Sequence, residues 1–338
     1  MKKALSLAMA AAMTMGLAAC GSTASSTAAA DSTPAASTAE SKETSAAEST
    51  DDKVYTVGIC QLVQHDALDA ATQGFKDALT EKLGEGNVKF DEQNASGDSA
   101  NCTTIVSGFV STGVDLILAN ATAPLQAAAQ ATADIPVLGT SVTDYATALD
   151  ISDWTGTVGN NISGTSDLAP LDQQAAMIQE MFPNAKTVGL LYCSAEPNSV
   201  YQCDVIEGYL TEMGLETTRY AFTDTNDVTS VTQAAAAASD VIYIPTDNTA
   251  ASNTEAIANV VIPEKVPVVA GEEGICKGCR YYDLGYKTGE MAAEILADGA
   301  DVSTMPVEFA PNVTKKYNAA NCEALGITPP DGYEAIAD

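Results

Sequence analysis

Three groups of residues have types and spacing that could do chemistry. Cys276-Lys277-Gly278-Cys279 is a Cys-x-x-Cys element, reactive when it opens a helix and a plain disulfide or pair of thiols when it lies in a loop. Gly278 and the Gly271 to Gly274 stretch favour the loop, so a structural Cys276–Cys279 disulfide or two idle thiols is expected. Glu272-Glu273 offers two carboxyls, but glycoside hydrolysis needs them ~5–9.5 Å apart across one bond, and adjacent residues point different ways. His65 is the single imidazole; it has no Gly-x-Ser-x-Gly elbow to serve, and one His all but excludes a Cys/His zinc site. No catalytic residue, metal or cofactor is expected.

The elements that must hold such residues follow from composition and rhythm. The chain has 338 residues, 46% of them hydrophobic, with 45 Asp+Glu against 15 Lys+Arg and a net charge of −30. It can bury a real core, and its length suits two domains. The acidity excludes general nucleic-acid binding and docking of the folded surface on anionic lipid. Apolar strand-like runs at 54–60, 88–90 and 114–118 alternate with helical spacing at 67–83 and 99–112, the pattern of a parallel sheet covered by helices. The unit then repeats, offset by 125 to 131 positions. Thr56-Val57-Gly58-Ile59 is echoed by Thr187-Val188-Gly189-Leu190, Asp115-Leu116-Ile117-Leu118 by Asp240-Val241-Ile242-Tyr243, and Pro136-Val137 by Pro267-Val268. Two doubly wound, Rossmann-like lobes joined by a hinge are therefore expected. Such sheets bind ligands beyond the C-terminal ends of their strands, which singles out loops 61–69, 120–124, 139–144, 193–199, 246–250 and 271–274.

The N-terminus reads as an address. Met1-Lys2-Lys3 and the apolar Ala4 to Leu17 run into Leu17-Ala18-Ala19-Cys20-Gly21, which resembles the lipobox of bacterial lipoproteins. That implies a signal peptide over 1–19, lipid on Cys20 and a flexible Ser/Thr/Ala linker over 20–53, with a reach on the order of 30 Å. Loss of Lys2 and Lys3 would lower the net charge by two. Seven cysteines would remain, an odd number, and Cys193 with Cys203 is the second candidate pair.

Gly58-Ile59-Cys60-Gln61 through Asp69, Ala121-Thr122-Ala123-Pro124, Pro136 through Asp144, Asn161 through Asp167, Leu191 through Ser199, Pro245 through Thr249 and Tyr282-Asp283-Leu284-Gly285 stand in one order over about 54–330. Together they resemble ABC-transporter substrate-binding lipoproteins of the type I periplasmic-binding fold. The resemblance implies a monomer outside the cytoplasm, held to the membrane by its lipid. It would close a first lobe over 54–160, with the helix near 283–298 returning to it, and a second over 161–275 with part of the C-terminal tail. The cargo would pass to an ABC permease and its ATPase, and an aromatic amino acid such as tryptophan is the favoured ligand. A nucleoside or sugar cargo, a ligand-sensing lipoprotein and an exported thiol enzyme are the alternatives. One departure stands out: relatives usually continue after the position of Cys279 with a short apolar strand, whereas here Arg280-Tyr281 follow directly, which bears on the return crossing and on one sheet edge.

An amino acid needs an acceptor for its ammonium, donors for its carboxylate and an apolar slot. Asp247 and Glu272 could meet the ammonium, Asp247 being equally suited to cap the helix beginning near Ala250. Thr122 with the Ala123 amide, and Thr140 with Ser141, could hold the carboxylate. Gln61, His65, Leu68 and Asp69 would wall the first lobe, with Asn120, Ser194 and Asn248 completing the ligand set.

Overall fold

Short β-branched and aliphatic runs separated by amphipathic stretches become alternating strands and helices over most of the computed structural model, which describes residues 53–272, 281–309 and 314–336. The first half contributes β1 (Tyr55–Gln61), α1 (Asp66–Leu83), β2 (Val88–Asn94), α2 (Ser99–Thr112), β3 (Leu116–Asn120), α3 (Thr122–Ala131), β4 (Val137–Val142), α4 (Tyr145–Ala148) and β5 (Ile162–Ser166). The second half contributes α5 (Leu171–Met181), β6 (Thr187–Cys193), α6 (Pro197–Glu212), β7 (Glu216–Phe222), α7 (Val228–Ala238), β8 (Val241–Ile244), α8 (Asn248–Ser252), α9 (Thr254–Glu264) and β9 (Val268–Ala270). The chain then returns through α10 (Tyr281–Asp298) and β10 (Glu308–Phe309), and closes with β11 (Lys316–Tyr317), α11 (Ala319–Leu325) and β12 (Glu334–Ala335).

Two all-parallel sheets result, ordered β10-β5-β4-β3-β1-β2 and β7-β6-β8-β9, with β11 and β12 pairing separately. Val57, Ile59 and Leu116 to Ala119 are wholly buried, as strands covered on both faces must be. The repeated sequence is a repeated device. Asp115 accepts the Thr56 amide at 2.8 Å, and Asp240 accepts those of Lys186 and Thr187 at 2.8 and 3.0 Å, so the same residue starts the same strand in each half. Likewise the carbonyls of Pro136 and Pro267 accept from Ile117 and Ile242, both at 2.9 Å.

The first sheet runs past residue 160. β5 pairs with β4 and β10, so the division between the sheets follows Ser166. Its polar Ile-Ser-Gly-Thr-Ser sequence is buried because its hydroxyls have partners: Ser163 donates to the Met305 and Pro306 carbonyls, and Thr165 links Thr140 to Thr288. Helix α10 lies along α1, where Gly74 and Gly285 permit backbone approach; a Cβ at either would strike the Tyr282 or Ala71 carbonyl oxygen. Cys193 and Cys203 are free and buried, so the second expected pair is not formed, and Cys60, Cys102 and Cys322 are also free. Cys20, Cys276 and Cys279 lie outside the described residues.

Candidate functional site

At the mouth of the first sheet, polar side chains knit the strand ends to α1. Gln61 donates to Asp69 Oδ1 at 2.6 Å and to the Val63 carbonyl at 2.9 Å, and accepts from Thr72 at 2.6 Å. Asn120 is fully buried; its Nδ2 donates to the Leu68 carbonyl and to Thr72 Oγ1, while its Oδ1 has no partner. Leu68 packs in the core of this half. His65 occupies the N-cap position of α1, and its Nε2 lies 3.3 Å from Asn248 Oδ1 in the other half, a direct bridge between the two. Burial pushes the imidazole pKa down, against the pull of the Asn248 bond.

The ends of β3 and β4 are strained. Ala121 has φ 102° and ψ 169°, a region that is essentially glycine's own, and Ser141 has φ 54°. The Ala121 conformation turns the chain so that α3 opens on Thr122 and Ala123 without a side-chain cap, leaving the positive end of its dipole unmatched. Thr140 is spent internally, 3.1 Å from Thr165, whereas the buried Ser141 hydroxyl has no partner.

On the second sheet, Asp247 is the N-cap of α8. It accepts from the Ala250 amide at 2.8 Å and from the Cys193 amide at 2.6 Å, so both oxygens serve the backbone. Burial, and then the nearby Glu196, push its carboxyl up to about 8. Glu196 takes the amides and side chains of Asn248 and Thr249 at 2.7 to 3.0 Å, which fixes Asn248 opposite His65. Ser194 is exposed and donates to the Phe222 carbonyl.

Where the chain passes between the sheets lies a cluster that the sequence reading only half found. Asp167 follows β5, Glu272 follows β9, and the Tyr281 hydroxyl at the start of α10 sits 2.8 Å from one carboxylate and 3.0 Å from the other. Among the described residues Asp167 Oδ1 and Glu272 Oε1 are buried without partners. Desolvation pushes both carboxyls up, Glu272 to about 8 with help from the Asp167 charge. Glu272 was legible as a strand-end acid. Asp167 has the same signal, lying just beyond a strand, but Ile162–Ser166 reads as belonging to the other half. Tyr281 gives no local sign. Among the described residues no group of His, Cys, Asp and Glu could hold a metal ion.

A family model described as ABC transporter substrate binding protein matches residues 56–338. The chain belongs to this family. The "Tyrosine-binding protein" of Clostridioides difficile (strain R20291) is 37% identical over 270 residues, which is 77% of this chain and 78% of that one. The crystal structure of an ABC domain in complex with L-Trp from Streptococcus pneumonia superposes with a TM-score of 0.79 at 30% identity, covering 84% of this chain and all of that one. The ligand-free, open structure of a Clostridium difficile substrate binding protein with adhesive properties is 36% identical over similar coverage but gives a TM-score of 0.62. The higher score goes with the lower identity, so the arrangement of this substrate-binding protein is nearer the L-Trp complex. It has the type I periplasmic-binding fold and works as the extracytoplasmic binding component of an ABC transporter. The named relatives are binding proteins, which favours binding over the thiol-enzyme alternative. Among the described residues no helix is long and apolar enough to cross a membrane.

Proposed function

We propose that the protein binds an aromatic amino acid, tyrosine or tryptophan, between its two lobes and hands it to a permease and its ATPase while lipid on Cys20 holds it at the membrane. Binding requires no catalytic residue and no cofactor. What supports this is a set of unmatched polar groups of opposite character at the strand ends. The α3 amides of Thr122 and Ala123 have no side-chain cap and the Ser141 hydroxyl has no partner, while one oxygen each of Asp167 and Glu272 has none among the described residues. A zwitterion fits such a pair of ends, its carboxylate at the helix terminus and hydroxyl and its ammonium at the acids. Binding of the related proteins to tyrosine and to L-Trp supplies the side-chain class.

In this proposal the ligand set is centred on Thr122, Ala123, Ser141, Asp167 and Glu272. Gln61, Asp69, Asn120, Thr140, Asp247 and Asn248 then act through the rims they brace, and His65 with Asn248 latches the lobes. Contacts to both lobes favour the closed population, which the permease recognises. The test is calorimetry on the mature chain with L-tyrosine, L-tryptophan, L-leucine, tyramine and 3-(4-hydroxyphenyl)propionate. Tyrosine or tryptophan is expected to bind at least tenfold more tightly than the others. Equal binding of tyramine, which lacks the carboxylate, would overturn the assignment of the α3 end.

A further inference from the structure

The two halves repeat until β9 and then diverge. In the first sheet the strand that starts at the Pro-Val pair, β4, has β5 at its outer side; the corresponding β9 is the last strand of its sheet among the described residues. Beside β9 lies a cavity of about 210 Å³. Val268 to Ala270 form one wall and Lys316-Tyr317 of β11 another, so two sheet edges border one space. Its sides are apolar: Met177 and Met181 from α5, Ile257 and Val261 from α9, and Leu325 from α11.

One end is polar and unsatisfied. Gln174 and Glu272 both line the cavity and are 6% and 9% exposed. The Tyr243 hydroxyl donates to Gln174 Oε1 at 2.6 Å, which turns Gln174 Nε2 away, and among the described residues neither Gln174 Nε2 nor Glu272 Oε1 has a partner. Gly271 makes the juxtaposition possible, because a Cβ there would come within 3.3 Å of Gln174 Oε1 and 2.9 Å of the Thr246 amide. A buried amide and a buried carboxyl oxygen left without hydrogen bonds have lost their hydration with nothing in its place, so they mark a place where a polar group belongs.

We propose that this cavity is a second small-molecule site, for a one-ring apolar compound carrying a hydroxyl or carboxamide head. The head accepts from Gln174 Nε2, with Glu272 Oε1 left to the ammonium of the principal ligand, and the ring lies between the α5 methionines and α9. Size decides the class. An apolar cavity of ~150 Å³ takes benzene, and drug-sized ligands need ≈ 300 Å³ or more. A space of about 210 Å³ therefore suits one ring and its head.

The experiment is methyl NMR of the mature chain labelled at methionine, titrated with benzyl alcohol and, separately, with toluene. The Met177 and Met181 resonances are expected to move and saturate with both, with toluene at least fivefold weaker. Gln174→Leu should erase that difference. Ala258→Phe fills the cavity and should abolish both responses with thermal unfolding retained; Leu325→Trp does the same from the α11 wall should the first variant fail to fold. Stationary methionine resonances, shifts that survive in the filled variant, or equal affinity for toluene and benzyl alcohol would each overturn the proposal.

Discussion

Tyr281 has one hydroxyl proton and two carboxyl neighbours. A phenol can donate to one of Asp167 and Glu272 and accept from the other only if that other carboxyl keeps its proton. The upward push on both acids agrees. With a folded pKa of about 8 against an ordinary 4.5, Glu272 holds a proton that the unfolded chain has already lost across that interval. Its contribution to stability is therefore fully present at acid pH and is lost as pH rises toward 8. Thermal melts between pH 5 and 9 should fall with rising pH, and Glu272→Gln should flatten that slope; parallel slopes in the two proteins would refute the assignment. Asp247 belongs to a different class. Both its oxygens hold main-chain amides, so Asp247→Ala should cost about 2–4 kcal/mol in urea denaturation whatever it does to binding. From sequence, cap and ligand acceptor were equally good roles for Asp247, because both need an acid at a strand end and only the position of the amides separates them.

Among the elements, the turn from β3 into α3 concentrates strain and function in one place. A β-branched residue cannot tolerate the Ala121 backbone, so Ala121→Val should lower the melting temperature by several degrees and abolish amino-acid binding, whereas Ala121→Gly should leave stability within about 1 kcal/mol. Ser141→Ala removes a hydroxyl with no partner inside the protein and should weaken tyrosine binding roughly tenfold in calorimetry without lowering stability. The interface of α1 and α10 is governed by backbone approach, and Gly285→Ala, which would drive a methyl into the Ala71 carbonyl, should cost 2 kcal/mol or more by denaturant titration. The repeat was legible because Asp115 and Asp240, and Pro136 and Pro267, do the same backbone work at the same place in each sheet. β5 was assigned to the second half because its hydroxyl-rich sequence lacks the apolar run that marks the other strands of the first sheet. What buries it is a threonine chain running from Thr140 through Thr165 to Thr288, residues far apart in sequence that no local pattern connects.

For the molecule as a whole, His65 with Asn248 is a direct tie between the two halves. His65→Ala should increase the radius of gyration of the ligand-free protein in solution scattering and weaken ligand binding severalfold; an unchanged radius would mean that other contacts hold the lobes. The two-lobed plan was legible from composition and rhythm, since parallel sheets leave long apolar runs at regular intervals. The crossing was not, because it joins Asp167 to Glu272 and Tyr281, which lie 105 and 114 positions further along the chain. That interleaving has a consequence for biogenesis. The helix that covers α1 and the strand that finishes the first sheet, α10 and β10, are encoded after the whole second sheet. A nascent chain emerging N-terminus first must leave its earliest strands half-clad until almost its last residues arrive, which keeps the polypeptide threadable through a secretion channel for nearly the full time of its synthesis.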